Sequence, residues 1–214
     1  MAGAAAVSCP RPLTVVATRA AVHPHPHDSR VSEGRSASAP PLALHSWSTS
    51  ERMLASGGFE SAQRVLAPRL VAEHSESGAR WLGIAYWQAV SQVTRGGVRA
   101  RWTDDGGRLT LLGGASLLSF GAPELAFSGE IVSCRYAIHG GLLALRAGGS
   151  VTLAQQQVAD EVELSVTVEE YLPRLAARLG APRWTGALYA KVQSPLHAAV
   201  SRRYFELLAA RASA

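Results

Sequence analysis

From residue 98 onward the chain alternates apolar and polar positions in short runs, with glycine pairs between the runs. Val98, Ala100 and Trp102 alternate with Arg99 and Arg101. Asp104-Asp105-Gly106-Gly107 follows, a hairpin signal because glycine accepts the positive φ of a tight turn. Residues 108–112 return, and 115–120 predict a further short strand. Residues 125–139 predict one long strand, bent by a bulge near Gly129. Residues 142–146 and 151–157 flank the turn Ala147-Gly148-Gly149. The plainest strand is 162–169: Val162, Leu164, Val166 and Val168 share one face, and Glu161, Glu163, Ser165, Thr167 and Glu169 the other. Residues 80–94 are aromatic and β-branched, and neither alternating face of 81–93 carries a charge. That pattern predicts a long central strand covered on both sides.

Helical spacing occurs at both ends of this region. Ser48 stands three residues before Glu51, a capping-box pattern that predicts a short helix over 48–56, stopped by Gly57-Gly58. Phe59, Ala62, Val65, Leu66, Leu70 and Val71 predict a second helix over 59–73, kinked or divided at Pro68. Residues 171–175 predict one or two helical turns before Gly180-Ala181-Pro182. A long helix then starts near residue 183, where Trp184, Leu188, Val192, Leu196, Val200, Tyr204 and Leu208 repeat four apart as one apolar stripe. Pro195 predicts a kink or break near Gln193-Ser194. The whole reads as an α+β domain: a curved antiparallel sheet of about seven strands, two short N-terminal helices and a long C-terminal helix across the concave face. A lipocalin-like closed β-barrel is the alternative.

This order of elements, over roughly residues 48–210, resembles the helix-grip fold of the polyketide-cyclase and START-like proteins. The resemblance implies a cavity between sheet and C-terminal helix that holds a hydrophobic ligand; the leading reading is non-catalytic binding of a small hydrophobic or lipid-like molecule there. Members of that group begin with a strand ahead of the two helices, and here only residues 41–45 offer one.

Composition adds a boundary. Residues 1–45 hold six of the eleven prolines, four arginines and only two acids, Asp28 and Glu33, with no sustained periodicity. Such a segment buries too little apolar area to offset its ordering entropy, so it reads as a disordered tail, or as an organelle-targeting peptide from its Arg- and Ser-rich, acid-poor content. Residues 46–214 then form a single domain, cytoplasmic if the tail is not a targeting signal. The HPHPH stretch places His23, His25 and His27 together, but no carboxylate or cysteine completes a metal site, and a solvated tract is the reading. No metal and no cofactor is expected. The net charge is +5, but the basic residues are scattered arginines with one lysine, Lys191, which argues against a nucleic-acid partner. Cys9 and Cys134 form no CxxC or Cys/His pattern, which suits a reducing compartment. No run of 18 apolar residues occurs to span a membrane.

The sequence lacks a nucleophile elbow, a P-loop and a dinucleotide fingerprint in a strand-turn-helix setting. The groups left to line a pocket are Tyr86, Trp87, Gln88, Trp102, Arg135, Tyr136 and His139, with Tyr189 and His197 on the covering helix. Binding a small hydrophobic ligand through the first seven and Tyr189 is the leading expectation. A cyclase- or hydrolase-like enzyme would use His139 or Glu130 as acid or base, and would need two ionisable groups converging in the cavity. A membrane-surface or scaffold role would need a contiguous arginine patch. Gln155-Gln156-Gln157 reads as structural.

Overall fold

A computed structural model describes residues 42–103, 105–112, 114–174 and 184–213, with side chains in the last stretch from Pro195 on. The tail to residue 41, its HPHPH stretch and Cys9 lie outside the described residues. The chain forms β1 (His45–Met53), β2 (Phe59–Ala67), α1 (Glu76–Val93), β3 (Val98–Thr103), β4 (Gly106–Leu111), β5 (Ser116–Phe120), β6 (Glu124–Ala126), β7 (Ile131–Gly140), β8 (Ser150–Val158), β9 (Glu161–Tyr171) and α2 (Trp184–Ala212). The helical turns expected at 171–175 are not formed over 171–174, where Tyr171 ends β9 and Pro173 bridges Ala144.

The nine strands make one antiparallel sheet in the order β1-β2-β9-β8-β7-β5-β4-β3, with β6 paired to β7. Edge strands β1 and β3 do not pair with each other, so the sheet is open and not a barrel. The α+β class and the C-terminal helix are as the sequence predicts. The first half differs. Residues 48–56 and 59–73 are not helices but the hairpin β1–β2, in register from Met53↔Phe59 to Ser48↔Arg64. Gly57-Gly58 is the hairpin tip (Gly57 φ 81°), not a helix stop. In β2 the side chains of Phe59, Ser61, Gln63, Val65 and Ala67 are buried, a period of two that the three- and four-residue spacing of its apolar members conceals. Pro68 ends the strand, where its missing N–H costs no ladder bond.

Residues 80–94 are the second correction: they are helix, not strand. Ser75 caps α1 by accepting from Gly78 N (3.1 Å), and Glu76 pairs with Arg80 one turn on (2.7 Å). The helix is apolar almost all round because it is enclosed. It lies on the inner face of β7, β3, β6 and β8, and α2 packs along its other side. Past its first turn the exposed residues are Arg80, Ile84, Gln88 and Gln92, four residues apart. The guanidinium of Arg211 stacks 4.2 Å from the Trp81 ring, and Arg203 Nε donates to Gln92 Oε1 (2.6 Å), both linking α2 to α1. Gly83 lets α1 approach β7, since a Cβ there would overlap the Tyr136 hydroxyl and crowd the Cys134 thiol.

The remaining strands follow prediction with two changes. The stretch 125–139 is a β6–β7 hairpin that turns at Ser128-Gly129, with Glu124 opposite Arg135, instead of one bulged strand. Residues 142–146 supply only a single bridge, Ala144↔Pro173. In β9 the side chains of Val162, Leu164, Val166 and Val168 are buried as expected. Gln155 is fully buried in β8. Its Oε1 accepts from Val71 N (2.7 Å) and Ala72 N (2.9 Å), and its Nε2 donates to Ala72 O (2.8 Å), fastening the β2–α1 connection to the sheet. Helix α2 runs on through Pro195 without the expected break. Its inner stripe is Val200, Ser201, Tyr204, Phe205, Leu208 and Ala209.

Candidate functional site

The space beneath α2 is lined by three layers. Tyr86 and Val90 come from α1, Leu196, His197 and Val200 from α2, and the sheet supplies one or two residues from each of seven strands. These include Phe59, Leu109, Leu118, Ile138, Val151 and Val168, which strand alternation directs inward. Leu143 and Tyr171 close one end, where the Tyr171 hydroxyl donates to Leu143 O (2.7 Å). The cavity, which is partly open to solvent, measures about 180 Å³. Cavities of roughly 150 Å³ with apolar walls stay dry and take up a benzene-sized molecule.

Four residues with polar groups interrupt this wall: Tyr86, Thr94, Tyr171 and His197. The Thr94 and Tyr171 hydroxyls donate to Val90 O and Leu143 O, whereas His197 Nε2 is buried with no hydrogen-bond partner among the described residues. Burial lowers the His197 pKa to about 4, so the ring is neutral at pH 7 and offers one donor and one acceptor nitrogen. Burial also holds the Tyr86 phenol protonated, far above its ordinary range.

A second concavity, an open groove of about 800 Å³, runs on the other flank of α1. Its floor is an aromatic cluster: Trp102 lies 4.7 Å from Tyr136, and Trp87 lies 5.2 Å from both. Phe120 is 5.1 Å from Trp87. Gly107 makes room for Trp102, whose ring occupies the place a Cβ would take. Cys134 is free and buried beside Tyr136, and burial pushes its thiol up to about 11, so it is not a nucleophile at neutral pH.

The residues singled out in the sequence are thus divided. Tyr86 lines the cavity beneath α2, whereas Trp87, Gln88, Trp102 and Tyr136 line the groove. Arg135 and His139 lie on the outer face of β7, because residues an odd number of positions from Tyr136 point away from it. Arg135 pairs there with Glu124 (2.8 Å), and the His139 ring lies over Gly121. Glu130 is exposed just before β7 and His139 is near its far end, roughly 30 Å along the strand, so the two do not converge as acid and base. The Tyr189 side chain lies outside the described residues. Among the described residues no group of three or more His, Cys, Asp or Glu side chains gathers to hold a metal. No described helix is long and apolar enough to cross a membrane.

The sequence reading placed His197 and Val200 on the covering helix without assigning either to the ligand, and it passed over Leu118. His197 had a legible signal: it lies three residues before Val200 and seven before Tyr204, on the edge of the apolar stripe.

No protein-family model matches the chain, and no curated protein matches it. Among solved structures the chain is similar to CalU16 from Micromonospora echinospora. The solution NMR structure is 11% identical, with 78% of this chain and 75% of that one covered and a TM-score of 0.33. The crystal structure is 13% identical, with 74% and 92% covered and a TM-score of 0.27. The likeness is weak and extends to architecture only.

Proposed function

We propose that the protein binds a small apolar molecule carrying one hydroxyl or carbonyl group, in the cavity beneath α2. His197 Nε2, without a partner among the described residues, in a mostly apolar wall is the observation that supports this reading most. A buried polar atom left unsatisfied costs about 1–3 kcal/mol, and a ligand hydroxyl reaching it removes that cost. The volume of about 180 Å³ suits one substituted ring or a short branched chain. Neutral His197 serves as the orienting group, and the hydrophobic effect supplies the affinity. A catalytic reading built on His139 and Glu130 gains no support from their separate, exposed positions.

Calorimetric titration with phenol and with toluene tests the reading. Phenol is expected to bind several-fold more tightly than toluene, by the roughly 0.5–1.5 kcal/mol of one hydrogen bond. His197→Leu is expected to abolish that preference while keeping toluene binding. Equal binding of the two probes by the unaltered protein would remove the role of His197, and binding of neither would remove the site. Mass spectrometry of the protein purified under native conditions would then identify a resident ligand.

A further inference from the structure

The outer face of the β3–β4 hairpin carries a concentration of positive charge that nothing in the apolar cavity requires. Arg99 and Arg101 project from β3, two residues apart and hence roughly 7 Å along the strand. Arg108 projects from β4 directly opposite Arg101. Like charges in directly opposed cross-strand positions destabilise a hairpin. Among the described residues no carboxylate pairs with any of the three; Arg99 Nε donates only to Gly96 O (3.4 Å). The three guanidiniums line a trough of about 840 Å³ whose one described acid is Asp105. Thr103, Thr110 and Ser119 add hydroxyls, and His139 stands at the β7 side. At the end of the trough Leu111 and Leu112 are 46% and 68% exposed, in the β4–β5 turn.

We propose that this face docks on an anionic lipid surface, with lipid phosphates entering the arginine trough and Leu111 and Leu112 entering the interfacial layer. Two adjacent exposed leucines beside a basic cluster combine the two attractions that peripheral membrane binding uses: apolar burial, and Coulomb attraction to acidic headgroups. Single-stranded nucleic acid fits less well. Its bases stack on exposed aromatic rings, and the one aromatic residue of the trough, Phe120, is 3% exposed. The site is separate from the ligand cavity, since Arg99, Arg101 and Arg108 point away from the inner face that Val98 and Leu109 share with it.

Co-sedimentation of the full chain with vesicles tests the proposal. Vesicles of phosphatidylcholine containing about one-third phosphatidylserine are expected to bind the protein, and vesicles of phosphatidylcholine alone to bind at least tenfold less, with attachment weakening as salt rises. Arg101→Gln with Arg108→Gln is expected to lower vesicle affinity about 25-fold, at roughly fivefold per arginine. The same pair removes an opposed like charge, so its Tm should be no lower than that of the unaltered protein. Leu112→Ser is expected to weaken vesicle binding several-fold, and Arg52→Gln with Arg64→Gln, ion-paired on β1 and β2 at the other end of the strand order, to leave it unchanged. Equal losses from the trough pair and the remote pair would overturn the proposal in favour of diffuse charge. So would tighter binding of a single-stranded RNA oligonucleotide than of the vesicles, or no effect of Leu112→Ser.

Discussion

Replacing Val200 by Phe probes the cavity through the sign of a stability change. Val200 is 4% exposed and lines the cavity from α2. Phe adds four carbon atoms at that position. With about 180 Å³ open in front of it, the ring has room without moving its neighbours. Each buried methylene equivalent contributes about 0.8 kcal/mol, and ordering a larger side chain costs roughly 0.5–1 kcal/mol, leaving a net gain of about 2–3 kcal/mol. For a chain of this size that gain is a rise in Tm of about 4–12 °C. In a fully packed interior the same substitution overpacks and destabilises by about 1–3 kcal/mol. Urea unfolding of ligand-free protein measures the difference, and phenol titration of the variant should show binding lost. A fall in stability would refute the reasoning, because it would mean that the space beneath α2 is already occupied by side chains.

Three further outcomes are expected. Gln155→Leu strands two amide N–H groups and one carbonyl of the β2–α1 connection, so urea unfolding should show a loss of about 3 kcal/mol, with faster hydrogen exchange at Val71 and Ala72. Gly83→Ala drives a methyl group into the Tyr136 hydroxyl and should cost about 1–3 kcal/mol; Tyr136→Phe in the same chain should recover part of it, and a double-mutant cycle measures the coupling. For His197 the folded pKa of about 4 lies below the unfolded value near 6.5, so between those values the unfolded chain binds the extra proton. Stability should therefore fall as pH drops from about 6.5 to 4, by at most about 3 kcal/mol, and His197→Leu should flatten that part of the profile.

The second half of the fold was legible because glycine turns and strict alternation coincide there. Val162 to Val168 can bury one face only as a strand, and Gly148-Gly149 and Ala159-Asp160 leave little choice of turn. The first half was obscured by two ambiguities that tertiary contacts settle. Ser48 and Glu51 satisfy a helix-cap pattern, yet they belong to an edge strand whose polar residues face water on both sides. Residues 80–94 were uncharged on both strand faces because a helix enclosed by sheet and helix is also apolar almost all round. The Ser75 cap and the Glu76–Arg80 pair were the local signals for the helix. The expected cavity rested on an element order that the β1–β2 hairpin and α1 revise, and the lining named for it is divided between two concavities. Tyr136 and His139 are three residues apart, so no regular strand places both on one face. Tyr86 and Trp87 are adjacent on a helix, about 100° apart, and so open into different concavities.

The central claim is that an apolar cavity lies between the sheet and the two helices and accepts a ligand. Methyl NMR spectra recorded under xenon pressure test it most directly, since xenon enters dry apolar cavities without needing a polar partner. The account predicts saturable shifts confined to methyl groups of Val90, Leu118, Ile138, Val151 and Val200, and their loss in Val200→Phe. Shifts only at exposed leucines such as Leu112 and Leu142, or none at saturation, would contradict it.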